Sequence, residues 1–323
     1  MENRGGDPQS DPNWLKLPSL GRRRKLESLA VALGFGSGNS HIPAMSVHPS
    51  PPTPATIGLV EPHAPLLRYP PAGQLLYKVM SVENCLGSIE RGYLHFNRVD
   101  SYKDFPGADN HDGEQLPGDR AGNAAATFVK APGFSAADYY DRSRSRTYAF
   151  CAALEDTDHV WTYGSGSPKG NVGLVFDFDR LRATLNRMLQ SGSAGLEFNG
   201  IRCRQIFDLN YGMVDYVDWA THRANEARLP NPITYAYLKD ARQFAEEREL
   251  RISLSALGIG KFVLDDRSEI AFPQHLHLDF DFRAAFADGT IREIISGPHC
   301  EEDYLRAELH RLHVSLMTPS APP

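Results

Sequence analysis

The residues best suited to chemistry lie in one short run, Glu247-Arg248-Glu249-Leu250-Arg251-Ile252. In an extended backbone, side chains alternate between faces, so Glu247, Glu249 and Arg251 would share one side while Arg248, Leu250 and Ile252 take the other. Two carboxylates and a guanidinium in line make a polar face that must be solvated or line a cleft. Such a pair can raise one carboxyl's pKa or stabilise a developing cation. The competing reading is a solvated helix end, with Glu247 and Arg251 paired at i, i+4.

A second candidate is His159-Val160-Trp161-Thr162-Tyr163. Trp161 and Tyr163 could present neighbouring aromatic surfaces to a planar ring, or simply pack in the core. A third is the acidic loop 104–114, where Asp109, His111, Asp112 and Glu114 are hard-metal ligand types. Their spacing does not fit an EF-hand. With Asp104 the carboxylates would suit a divalent-metal hydrolase or nuclease, and otherwise a solvated, turn-rich loop. A P-loop, a dinucleotide-binding G-x-G-x-x-G, H-E-x-x-H and G-x-S-x-G are all missing. Gly164-Ser165-Gly166-Ser167 reads as a loop, because no helix follows it.

These segments need a scaffold. With 323 residues the chain suits one large domain plus a tail. Its net charge of −6 supplies no global basic field, so nucleic acid is not indicated as a partner. Neither is a membrane, since no apolar run reaches bilayer length. Cys85, Cys151, Cys203 and Cys300 are scattered, which fits reduced thiols in a cytoplasmic protein. Twelve of the 23 prolines fall between Pro8 and Pro71, so residues 1–72 read as a disordered Pro/Gly/Ser-rich arm. A short helix over 26–33 is possible within it, and Met45 is an alternative start. Residues 73–316 read as a single domain and 317–323 as a disordered tail.

Within the domain, order should begin at Leu75. Strands are expected at 75–80, 93–97, 147–153, 171–178, 250–255, 261–264, 276–280 and 291–296. Residues 201–207 and 211–219 read as a strand pair across a short turn. Helices are expected at 82–91, capped by Gly92, and at 179–189, 232–245 and 301–312. Strands come in clusters with few helices between them, so the class is α+β, one compact domain of mostly antiparallel strands with flanking helices.

Several of these residues, taken together, resemble the bacterial family catalogued as domain of unknown function twenty-nine seventy-one. They are Tyr77-Lys78, Phe96-Asn97, the Tyr102–Phe105 turn, Cys151, Trp161-Thr162-Tyr163, Gly173–Phe176, Tyr211–Tyr216 and Ile294–Pro298, with Lys239, Phe244, Glu247, Glu249 and Arg251 as the most specific part. The layout is similar to that of small ADP-ribosyltransferases. That resemblance implies cleavage of NAD and transfer of ADP-ribose to an acceptor. Glu249 would stabilise the oxocarbenium-like transition state, and Glu247 would position or deprotonate the acceptor. Trp161 or Tyr163 would stack the nicotinamide, Lys78 and Arg251 would meet the pyrophosphate, and Tyr77 or Lys78 would hold NAD where those enzymes carry Arg or His. The alternatives are a non-catalytic sensor or adaptor and the metal-dependent hydrolase or nuclease.

Overall fold

The computed structural model describes residues 60–62 and 67–314, except 105–106, 129–130, 164–165, 193, 225–230 and 257–259. The helix expected at 26–33, Met45 and the tail 317–323 lie outside the described residues.

The frame is one mostly antiparallel sheet. In chain order its strands are β1 (Val60–Pro62), β2 (Leu75–Ser81), β3 (Tyr93–Arg98), β4 (Thr147–Ala153), β5 (Asn171–Asp177), β6 (Leu196–Phe198), β7 (Ile201–Arg202), β8 (Phe207–Met213), β9 (Glu249–Ala256), β10 (His275–Asp279) and β11 (Ile291–Ser296). β9 runs along one edge of β4 for its whole length, from Glu249 opposite Ala153 to Ser255 opposite Thr147. The other edge of β4 forks. At one end Ala153 pairs with Tyr77 of β2, which leads to β5 and β11. At the other, Ala149 and Tyr148 pair with Asn97 and Arg98 of β3, which leads to β10, β6 and β7.

The period-2 pattern of β9 explains its central place. Leu250, Ile252 and Leu254 enter the main core, and Glu249, Arg251, Ser253 and Ser255 fill the opposite face, also buried. The main core lies between the sheet and α1 (Val82–Arg91), α2 (Phe178–Gln190), α3 (Phe282–Ala287) and α4 (Glu302–Arg311). In α1, Ser81 caps the N-terminus, Val82, Cys85, Leu86 and Ile89 form the apolar stripe, and Gly92 ends the helix at φ 68°.

Four expectations are corrected. Order begins before Leu75: Val60–Pro62 pairs parallel with β8, and the Met213 N–H donates to the Arg68 carbonyl. Residues 201–219 do not form a hairpin, because β8 pairs with β9 instead and Asp215–Val217 pairs with Leu238–Asp240. Residues 232–245 do not form one helix. Ile233, Tyr235 and Tyr237 repeat at period 2 and pack into two different clusters, giving a 3-10 turn at Tyr235–Tyr237, a strand at Leu238–Asp240 and one helical turn at Ala241–Phe244. Glu247 is not extended. It ends a 3-10 turn, Arg248 takes a left-handed φ of 42°, and the strand starts at Glu249.

Candidate functional site

Arg251 is the centre of the site. It is fully buried, and its guanidinium meets Asp112 through two bonds of 2.6 and 2.7 Å and Glu249 through two more of 2.7 and 3.1 Å. Its Nη1 also donates to the Ala236 carbonyl at 2.6 Å. Forked, charge-assisted bonds of this kind fix both partners in position. Next to them Lys239 Nζ bridges the two carboxylates, 2.5 Å from Glu247 Oε2 and 3.0 Å from Glu249 Oε2. The Tyr163 hydroxyl donates to Glu247 Oε1 at 2.8 Å, and the Glu249 N–H donates to the Tyr216 hydroxyl. Tyr163 is 43% exposed, so the network runs from a dry interior to the surface.

Lys78 belongs to the same neighbourhood for a topological reason. Cys151 lies on β4 between the residues that pair with β2 and those that pair with β3. Where the strands diverge its carbonyl has no ladder partner, and Lys78 Nζ donates to it at 2.8 Å. The Cys151 thiol sits 3.2 Å from the Tyr102 hydroxyl.

The protonation states follow from burial against pairing. Burial works to raise the Glu249 pKa, but the Arg251 and Lys239 charges outweigh it and hold the carboxyl well below its ordinary range. Burial alone would loosen the Lys239 proton, yet Glu249 and its neighbours hold it on. The Tyr163 phenol is raised by burial and by Glu247, so it remains a donor. Burial pushes the Cys151 thiol up to about 12, with Glu249 adding to it. Lys78 is the exception: desolvation lowers its pKa despite Cys151 and Glu249 nearby.

Trp161 and Tyr77 occupy an adjoining patch, packed with Val79, Ala153 and Val160. The indole lies over Gly173 and Gly297, where any Cβ would crowd its six-membered ring, and its Nε1 donates to Asp156. Asn171 ties the turn down by donating to the carbonyls of Trp161 and Tyr163. A shallow cavity of about 270 Å³ opens here, lined by Asp158, Trp161, Thr162, Asn171, Pro298 and His299.

Comparison of the chain with protein-family models, curated proteins and solved structures finds no match.

The structure therefore brings Lys78, Tyr163, Glu247, Glu249 and Arg251 together, with Trp161 and Tyr77 alongside. Arg251 is wholly engaged inside, which leaves it no free donor edge for a pyrophosphate. Nor does it pair with Glu247 at i, i+4. The acidic loop does not act as a unit: Asp112 is the counter-ion of Arg251, Glu114 pairs with His111, and Asp104 is exposed. Among the described residues no three His, Cys, Asp or Glu side chains close around a point as a metal cage would. Asp109 is buried, and its Oδ2 meets no donor among the described residues.

Sequence reasoning missed the partnership of Asp112 with Arg251, because nothing in a turn-rich acidic stretch marks one carboxylate as buried. It also missed three histidines on the same sheet face. His275-Leu276-His277 and His95-Phe96-Asn97 carry the period-2 signal that could have shown them.

Proposed function

We propose that the protein is an ADP-ribosyltransferase-like enzyme that cleaves NAD at the nicotinamide–ribose bond and passes ADP-ribose to an acceptor. The observation that carries this reading is the single network joining Tyr163, Glu247, Lys239, Glu249 and Arg251 at the start of β9. Within it the Glu249 carboxylate is held ionised between Arg251 and Lys239, with Asp112 on the far side of the guanidinium and Glu247 on the far side of the ammonium. A fixed negative charge in a dry site favours a ribosyl cation more than it favours neutral ribose, and so acts in the transition state.

The roles follow depth. Glu249, ionised and held on two sides, supplies the field. Glu247, next to the half-exposed Tyr163, is the carboxylate that an acceptor hydroxyl or amine can reach by displacing the phenol. Trp161 walls the adjoining cavity, where a flat ring fits. Lys78, rather than the enclosed Arg251, is the cation left for phosphate. The order of elements supports the same reading: a strand with Tyr77-Lys78, a helix ended by Gly92, a strand opening Tyr93-Leu94, then the aromatic turn and the Glu249 strand.

Thermal unfolding with and without millimolar NAD tests the binding half. NAD should raise the midpoint of the wild type, and Trp161→Ala should lose most of the rise, by analogy with the roughly 1–3 kcal/mol of base–aromatic stacking. No NAD-dependent shift in the wild type would count against the reading and favour a non-catalytic sensor or adaptor.

A further inference from the structure

The cavity beside Trp161 has walls whose side-chain donors are mostly spent. Asn171 opens β5 and is 1% exposed. Its amide donates to the Trp161 carbonyl at 2.9 Å and to the Tyr163 carbonyl at 2.8 Å. Both partners can only accept, so the amide nitrogen must face them and Oδ1 must face away. That Oδ1 is buried and meets no donor among the described residues. The Trp161 Nε1–H is taken by Asp156 at 2.8 Å, and the Thr162 hydroxyl hydrogen by the His159 carbonyl at 2.7 Å. Pro298 has no N–H to give. His299, at the exposed rim, has a ring that can donate or accept.

What remains is a wall of acceptors: Asn171 Oδ1, the Thr162 oxygen and the Asp158 carboxylate. Asp158 is exposed and forms no ion pair among the described residues, and no lysine or arginine lines the cavity. A buried acceptor without a donor is costly, so the wall favours a guest that brings N–H groups. An indole and an unpaired carboxylate favour positive charge on that guest. The indole is seated on Gly173 and Gly297, and the rim at His299 closes against Gly170, where a Cβ would strike the His299 carbonyl. Both sides of the opening therefore rest on backbone.

We propose that this cavity binds a flat cation that carries N–H donors, with Asn171 Oδ1 as the selecting acceptor and Asp158 as the counter-charge. Two sources have this chemistry, the pyridinium carboxamide of NAD and the guanidinium of an arginine side chain. The first rests on the transferase reading and the second does not. In either case the flat group lies along the indole and an N–H meets Asn171. A carboxylate at that place is rejected, because it brings no donor and adds a like charge beside Asp158.

The test is calorimetric titration of the full chain, without NAD, with three probes. They are ring-N-methylated nicotinamide, ring-N-methylated nicotinate and N-acetylarginine methylamide. At least one of the two cations should bind, and Trp161→Ala should lose the heat. The nicotinate should bind at least about tenfold more weakly than the better cation, since it leaves Asn171 unpaired. Asp158→Asn, at an exposed position and shown to be folded by circular dichroism, should weaken the cation at least about threefold. No heat from either cation at millimolar concentration overturns the site, and that readout needs no variant. Nicotinate binding as tightly as the better cation also overturns it, as does undiminished affinity in Asp158→Asn. Nicotinamide release from NAD is measured separately. Selective cation binding without release keeps the cavity and sinks the transferase reading, and release without selectivity does the reverse.

Discussion

At the scale of the residue, Arg251 and Glu249 show that a polar box in sequence can become interior. The run Glu249-x-Arg251 was legible as one face of a strand. What a local pattern could not show was that this face is covered, since the cover comes from Asp112 and Tyr216, distant in sequence, and from Ala236 and Lys239 on the preceding segment. Breaking a buried pair strands the other charge, so Glu249→Gln should lower unfolding free energy by about 3 kcal/mol at pH 7 in chemical denaturation. The sign with pH is fixed by the depressed carboxyl pKa. The contribution of Glu249 is fully present above the ordinary carboxylate range and drains away as pH falls below it. Wild-type stability should therefore fall more steeply than that of Glu249→Gln below about pH 4.5. Parallel slopes would mean that Glu249 is not the paired group.

At the scale of the element, the legible parts were those with a strong period and clean ends. The helix Val82–Arg91 and the strands Thr147–Ala153 and Ile291–Ser296 have the bounds expected from pattern alone. The helices Pro117–Ala125 and Ala136–Arg144 were not seen. PGDRAGNAA and AADYYDRSR carry no sustained apolar stripe; the second is held by its Ser135–Asp138 capping box, and the two helices pack on each other. The 3-10 turn Val160–Thr162 was read only as two aromatics two apart. Its placement depends on glycines elsewhere, for Gly173 and Gly297 leave the room in which the Trp161 ring lies. Gly297→Ala should displace that ring or cost about 1–3 kcal/mol, as overpacking does. Trp161 fluorescence should shift with it, while the core elements keep their circular dichroism. An unchanged tryptophan spectrum would show that the turn is not seated on the glycine pair.

At the scale of the whole molecule, the α+β class and the antiparallel bias were legible, but the fork in the sheet was not, because strand pairing is non-local. The fork places Lys78 at the Cys151 carbonyl and sets the two arms around β4. No helix among the described residues is long and apolar enough to cross a membrane. The proline-rich character of residues 1–72 hid the strand Val60–Pro62 and the seat of Leu67, whose Cβ lies 2.7 Å from where a Cβ on Gly212 would stand. A chain beginning at residue 74 should melt roughly 4–8 °C below one beginning at residue 58, taking about 2 kcal/mol for the lost strand and contact. Equal midpoints would show that the segment contributes nothing to the domain.

The most direct test of the transferase reading is release of nicotinamide from NAD labelled in the nicotinamide ring, measured for the wild type and for Glu249→Gln with folding checked by circular dichroism. The wild type should release nicotinamide above a buffer blank. Glu249→Gln should still bind NAD but release it roughly 10²–10³ times more slowly, the loss that follows removal of one preorganised electrostatic group. Wild-type release equal to the blank, across a range of hydroxyl, amine and guanidinium acceptors, would contradict it.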